Sequence, residues 1–312
     1  MNIRLLGPLQ VEHDGAPIAL GGGAQRALLT RLALDPNRTV GIDRLVEDLW
    51  GEDPPASAVK MVHIHVSMLR KVLPAGVLET RTPGYALAIA PEAVDLGRFE
   101  QLRKQGQAAL ANGSPAQAAD RLREALALWR GAALAEFGEP FAAIESRRLE
   151  ELHLGCMEDR IDADLALGRH VLLVSELDAL VARHPLRERL RGQLMLGLYR
   201  SGRQVDALAG YRELRQMLST ELGIEPWPAL RELEARMLQQ DPSLGVAPIA
   251  RHPSPPARVP QAAARTHNRL PCAAGCGSRS GSAHRISSTS GSTTYWSTSR
   301  TELPAIASSW TR

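Results

Sequence analysis

Three glycines set the tightest constraint on how this chain can fold. Gly113, Gly168 and Gly202 each end one run of helical periodicity and open another. After each, apolar residues recur at offsets nine and twelve: Leu122 and Ala125, Leu177 and Leu180, Tyr211 and Leu214. Glycine accepts the left-handed backbone that stops a helix, and a fixed apolar offset beyond it folds a second helix back onto the first. Gly168 and Gly202 lie 34 residues apart, the tetratricopeptide period. Gly113 and Gly168 are separated by 55 residues, which breaks strict periodicity. From about Val94 to Gln240 the expected architecture is therefore an all-α, tetratricopeptide-like stack of helical hairpins with an irregular insertion. A stack of this kind buries a continuous core, which accounts for most of its leucine and alanine. Gly202-Arg203 and Tyr211-Arg212 are candidate surface positions on it.

The first ninety residues obey another rule. Residues 1–20 carry short apolar bursts (Ile3 and Leu5, Leu9 and Val11, Ile18 and Leu20) divided by Gly7-Pro8 and Asp14-Gly15, the pattern of short strands and tight turns. AQRALLTRLAL at 24–34 has helical spacing and ends at Asp35-Pro36-Asn37. IDRLVEDLW follows, with Asp43 as its expected N-cap, and a third helix is expected from about Pro54 to Leu73. Residues 77–81 and 85–89 flank Thr82-Pro83-Gly84 as a β-hairpin. Strands, three helices and a closing hairpin describe an α+β winged helix-turn-helix. The expected divisions are residues 1–93 for the winged helix, 94–245 for the helical repeats and 246–312 for a tail.

Composition agrees with this division. A chain of 312 residues exceeds one small core, and 44% hydrophobic with 23% charged residues is ordinary for a well-cored protein. No apolar run approaches the ~20 residues that cross a bilayer, so no membrane association is expected. The amino terminus lacks the long apolar block of a secretory signal, and three widely spaced cysteines do not make a disulfide framework. The chain reads as cytoplasmic. Cys156 sits in a helical apolar run and reads as a small core residue. Cys272 and Cys276 with His267 and His284 lack the fixed spacing and packed shell of a structural zinc site, so no metal is expected. Residues 251–312 hold twelve serines, seven threonines, eight arginines and no lysine, and are expected to form a disordered tail or to be an out-of-frame translation. That tail carries +7 against a whole-chain +3, leaving −4 on residues 1–250. Nucleic-acid binding therefore cannot rest on global charge and needs a local patch.

Residues 55–73, PASAVKMVHIHVSMLRKVL, supply one. At about 100° per residue, Ala58, Val62, Val66, Leu69 and Leu73 fall in one arc of about 80°. Lys60, His63, Ser67, Arg70 and Lys71 fall in about 100° on the opposite side. Ile64 projects among them, where water alone would not favour it. Lysine and arginine reach guanine edges or phosphates, serine a phosphate, and isoleucine a thymine methyl, so this face suits the major groove of double-stranded DNA. A cationic helix face is more often simply solvated, and the hairpin after it shifts the balance. Arg81 at its tip is expected to enter a neighbouring minor groove. Residues 54–81 carry four cations against Glu79 alone. His65 falls at the edge of the buried arc and reads as a packing residue. His63 and His65 diverge on a helix and do not form a metal pair.

These segments carry a resemblance. RLLGPLQV, GGGAQRALLTRLAL, IDRLVEDLWGEDPP, SAVKMVHIHVSMLRKVL, TPGYAL, LREALALWRGAAL, RIDADLALGRH, LVARHPLRERLRGQLMLGLYRSGRQVDALAGYRELRQMLSTELGIEP and LRELEARML resemble, over roughly residues 1–245, the Streptomyces antibiotic regulatory protein family of bacterial transcriptional activators. The resemblance implies an OmpR-type winged helix followed by a bacterial transcriptional activator domain, and control of a secondary-metabolite gene cluster. It implies binding to promoter direct repeats as a homodimer on DNA, and recruitment of RNA polymerase. Lys60, His63, Ile64, Ser67, Arg70 and Arg81 match positions at which such winged helices touch DNA, and Lys71 shares their face. Met68 stands where the family commonly has arginine, so one phosphate or base contact is expected to be missing or weaker there. Trp50, Gly51, Glu52, Asp53, Pro54 and Pro55 match the turn that such activators present to polymerase. The residues themselves show only an acidic, proline-stiffened loop.

No aspartate-rich receiver precedes the winged helix, and no G-x-x-x-x-G-K-[ST] loop occurs, so neither an attached phosphorylation switch nor nucleotide hydrolysis is expected. No nucleophile–base or paired-carboxylate arrangement points to an enzyme, and no cofactor is implied. Two other readings compete. In one, the helical repeats form an adaptor and the winged helix docks protein. In the other, the chain is the front of a larger ATPase-type regulator, since it ends about where that module would begin.

Overall fold

The computed structural model describes residues 1–245, so the expectations for the tail and for Cys272 and Cys276 lie outside the described residues. β1 (Asn2–Arg4), β2 (Gln10–His13) and β3 (Ala16–Pro17) form an antiparallel sheet in that order, with Ile3 opposite Val11. Ile3, Leu5, Leu9 and Val11 turn inward, as the apolar bursts require. α1 (Gly23–Leu34) buries Ala27, Leu28, Leu29, Leu32 and Ala33. β4 (Val40–Gly41) leads directly into α2 (Ile42–Trp50). The N-cap is consequently Gly41 and not Asp43, because the residue before the helix is still paired in the sheet. Asp43 lies in the first helical turn, where its charge suits the dipole.

α3 is Ala58–Val72, four residues shorter at its start than the sequence spacing predicts. Pro54-Pro55 holds the preceding backbone out of the helical region, and the Ala58 amide donates to the Pro55 carbonyl to open the helix. β5 (Leu78–Arg81) and β6 (Gly84–Leu87) form the hairpin, and β4 pairs along the outer edge of β6. Gly84 is obligatory here: a Cβ would overlap the Val40 carbonyl oxygen.

The helical part runs through α4 (Asp95–Ala111), α5 (Pro115–Leu126), α6 (Pro140–Ala166), α7 (His170–Arg183), α8 (Glu188–Arg200), α9 (Gln204–Leu222) and α10 (Pro228–Leu238). Gly113, Gly168 and Gly202 occupy the turns α4–α5, α6–α7 and α8–α9 at φ of +69°, +73° and +77°. All six offset residues (Leu122, Ala125, Leu177, Leu180, Tyr211 and Leu214) are buried. Tyr211 is accordingly a core residue and not a surface position: the offset that defines the hairpin turns its ring inward, while Arg212 stays exposed. The long gap in the glycine spacing resolves into a loop, 127–139, and the 27 residues of α6. α6 is apolar on two sides. Leu149, Cys156 and Ala163 join the core shared with α1–α5, whereas Leu154, Ile161 and Leu165 join the core of α7–α10. Burial pushes the Cys156 thiol up to about 12, which keeps it inert.

The inserted loop is stapled to the first sheet. Asp95, buried at the start of α4, accepts from the Leu5 amide at 2.7 Å and the Leu6 amide at 3.1 Å. Burial raises its carboxyl above the ordinary range, while those amides and Arg130 act in the opposite sense. The Arg130 amide donates to the Leu6 carbonyl at 2.8 Å, and the Glu136 carboxylate accepts from the Leu9 amide at 2.6 Å while pairing with Arg26. Farther along, Glu158 and Asp159 of α6 meet Arg187 and Arg189, and Asp164 meets Arg123, Arg160 and Arg169. Burial opposes ionisation of Asp164, and the three guanidinium groups outweigh it, so the carboxyl titrates below 3.8. A depressed acid stabilises the fold above its unfolded pKa and stops doing so as pH falls through its folded one. Asp164→Asn is therefore expected to lower the melting temperature at pH 7. Its deficit against the parent should shrink as pH falls below 3.8, followed by circular dichroism melts across pH.

Candidate nucleic-acid interface

The stripe Ala58, Val62, Val66, Leu69 and Leu73 is buried against α1, α2 and the hairpin, and this fixes which side of α3 meets solvent. Opposite the middle of that stripe lie Lys60, Ile64, Ser67, Met68 and Lys71, all exposed. Ile64 is 47% and Met68 43% accessible, large values for apolar side chains on a well-packed helix. Neither Lys60 nor Lys71 has an ion-pair partner among the described residues. The crest of α3 is thus two free ammonium groups, a hydroxyl and two apolar tips.

His63 and Arg70 are displaced from the crest by about 100° on the hairpin side and are held there. His63 Nδ1 lies 2.7 Å from the Tyr85 hydroxyl, and the two rings meet edge to face at 6.1 Å. Arg70 donates from Nε to the Leu78 carbonyl at 3.0 Å and from Nη2 to the Thr80 hydroxyl at 2.7 Å, with its guanidinium 5.7 Å from the Tyr85 ring centre. Arg70 does face outward, as the periodicity requires, but two of its donors are engaged by β5. Arg81 differs more from expectation. It is the last residue of β5, opposite Gly84, and the tip proper is Thr82-Pro83. Its guanidinium pairs with Glu79 at 2.7 Å and donates to the Asn37 carbonyl at 2.8 Å, so it ties the tip end of the hairpin to the segment before β4. His65 is half-buried on the other flank with both ring nitrogens unpartnered, and burial lowers its pKa, which keeps the imidazole neutral.

Spacing alone does not disclose this clasp of Tyr85, Thr80, Asn37 and Glu79. One signal was available: His63 and Arg70 are seven residues apart, two turns on one flank, and so face a common neighbour. The loop of Trp50, Gly51, Glu52, Asp53, Pro54 and Pro55 departs from the end of α2. Gly51 takes φ +70°, and a Cβ there would stand 3.2 Å from Pro140 at the start of α6. Trp50 is half-buried, while Glu52 to Pro55 are exposed, and Glu52 and Asp53 have no ion-pair partner among the described residues. Asp48, one turn earlier, is buried between Arg31 and Arg44. Among the described residues no histidine, cysteine and carboxylate cluster could hold a metal ion, and no helix is long and apolar enough to cross a membrane.

The clasp makes Arg70 a structural as well as a surface residue. Arg70→Ala should cost about 1 kcal/mol in urea unfolding, the usual net for an exposed charge-assisted pair of hydrogen bonds. It should also speed amide exchange in residues 78–81 while leaving α7–α9 unchanged.

Comparison with known proteins bears on the same two regions. Residues 15–87 match the family described as transcriptional regulatory protein, C terminal, and residues 94–238 match the bacterial transcriptional activator domain. Regulatory protein DnrI of Streptomyces peucetius is 38% identical over 256 residues, covering 78% of this chain and 94% of that one. Regulatory protein AfsR of Streptomyces coelicolor is 47% identical over 241 residues, covering 77% of this chain but 24% of its own, so the chain spans about a quarter of that relative. The solved structure of Mycobacterium tuberculosis EmbR, in complex with a low affinity phosphopeptide, superposes with a TM-score of 0.73 at 40% identity over 77% of this chain and 65% of that one. With an OmpR-type winged helix, an activator domain and these relatives, the chain belongs to the Streptomyces antibiotic regulatory protein family of transcriptional regulators.

Proposed function

We propose that the protein is a sequence-specific DNA-binding activator that recognises promoter direct repeats, sits on them as a homodimer and recruits RNA polymerase to a secondary-metabolite gene cluster. The observation that carries the reading is the crest of α3. Lys60 and Lys71 bracket Ile64, Ser67 and Met68 with no counter-charge of their own, on the one side of the helix that the core does not occupy. Free ammonium groups at the two ends of a helix suit phosphates on the two walls of a major groove, and the side chains between them suit base edges. His63 and Arg70 line the flank toward the hairpin, within reach of backbone as the wing approaches, and Arg81 reaches DNA only by leaving Glu79. In this proposal residues 1–93 bind DNA and residues 94–245 carry activation. The acidic loop Trp50 to Pro55 is the polymerase-facing element, because its two carboxylates are exposed and unpaired while its base is braced on Pro140.

Selection of bound duplexes from random DNA with the purified chain, followed by footprinting, tests the class directly and should return spaced direct repeats. Three to four phosphate contacts per protomer should give a slope of about −3 per protomer in log affinity against log salt. Lys71→Ala should reduce that slope by about 1 per protomer without changing the selected sequence. An affinity indifferent to salt and sequence would refute the DNA-binding reading and leave the adaptor reading in its place. Charge reversal in the loop, Glu52→Lys with Asp53→Lys, should leave the gel shift intact and abolish activated run-off transcription. Retention of full activation would remove the loop from the mechanism.

A further inference from the structure

The exposed pair Ile64 and Met68 carries an inference that rests on the DNA-binding reading and goes further, to what the crest reads. The two side chains are one helical turn apart, at i and i+4, on the side of α3 turned away from the core, Ile64 close to its crest and Met68 on the shoulder away from the hairpin. The remaining crest residues are two lysines and a serine. The two side chains with the hydrogen-bonding forks that suit purines, Arg70 and Arg81, are both turned onto the hairpin by the Leu78 carbonyl, the Thr80 hydroxyl, Glu79 and the Asn37 carbonyl. The middle of the crest therefore presents apolar tips and one hydroxyl, with its two ammonium groups at the ends and no free guanidinium fork for guanine O6 and N7.

We propose that Ile64 and Met68 are specificity-determining residues that select thymine by its 5-methyl group at two positions of each half-site. In the major groove the thymine methyl is the one apolar feature among the base edges. An isoleucine or methionine tip gains by covering it, and covering a guanine edge instead would strip two acceptors of water without replacement. The rise of four helical residues is about 6 Å, and base pairs stack at about 3.4 Å. The two thymines accordingly stand about two base steps apart. Lys60 and Lys71, beyond the pair at either end, set the register through phosphates and leave the base preference to the apolar crest. Methionine is long and unbranched, so the Met68 preference should tolerate a neighbouring pyrimidine step better than that of the stiff, β-branched Ile64.

Deoxyuridine tests this, since it pairs as thymine does and lacks only the methyl. Using the full chain, the duplex recovered by selection is resynthesised with deoxyuridine at one thymine at a time, and affinity is measured by fluorescence anisotropy. Loss of one buried methyl should weaken binding about fourfold at each of two thymines about two base steps apart. Other thymines should be silent. Ile64→Ala should abolish the penalty at one of the two positions and Met68→Ala at the other, each leaving its partner's penalty in place. Both residues are exposed, so circular dichroism melts of the variants should match the parent. Unchanged affinity for every deoxyuridine duplex would overturn the inference while leaving the DNA-binding reading intact. Penalties that persist in both variants would overturn it too, by assigning the methyls to other side chains. Failure of the parent chain to select any sequence would overturn both readings together.

Discussion

One apolar core running from the first strand into α6 underlies everything else in the described fold. Ile3 of β1, Leu5 just after it, Leu45 of α2, Leu69 of α3, Phe99 of α4, Leu122 of α5 and Leu149 of α6 are all buried members of it. The winged helix is therefore not tethered to the helical repeats by a linker; it is packed on them. Asp95 makes the junction specific. Hydrophobic burial is non-directional, whereas a buried carboxylate that takes two adjacent backbone amides admits one placement of β1 on α4. The Glu136 and Arg130 contacts repeat that fastening from the inserted loop.

That core also decides the chemistry of the exposed surface. Because Val62, Val66 and Leu69 must face inward, the side of α3 presented to solvent leaves no choice about which residues stand at its crest. The hairpin then divides the polar residues into two sets. Those near Tyr85 become internal ties of the winged helix, and those beyond its reach remain available to a partner. A residue's type says little about which set it joins. Arg70 and Lys71 are neighbours in the chain with the same charge, and one is hydrogen-bonded to β5 while the other is free.

Much of this was legible in the amino-acid order. The core stripe of α3, the hairpin around Thr82-Pro83 and all six buried offsets beyond the three glycines follow from periodicity, because burial imposes the period directly. The misreadings are of another kind. Gly41 fills the cap expected of Asp43, because Gly41 pairs with Gly84, which lies 43 residues away in the chain. Tyr211 was expected on the surface because tyrosine tolerates either environment, although its own offset from Gly202 placed it inward. Arg81 does stand at the tip end of the hairpin, beside Thr82-Pro83, and what its sequence does not disclose is that Glu79 and the Asn37 carbonyl hold its guanidinium. The cap of α2 and the ties of Arg81 depend on partners distant in sequence, which no local pattern encodes, whereas for Tyr211 the local offset was the better guide than residue type.

The two-sided burial of α6 has a mechanical consequence. A rod of 27 residues extends about 40 Å, and it is gripped by close-packed side chains on both faces, which compress very little. It cannot bend without opening a void on one side or the other. Its last turn, at Leu165, lies in the second core, and its first residue, Pro140, lies beside Gly51. One stiff helix thus touches both the acidic turn and the distant repeats.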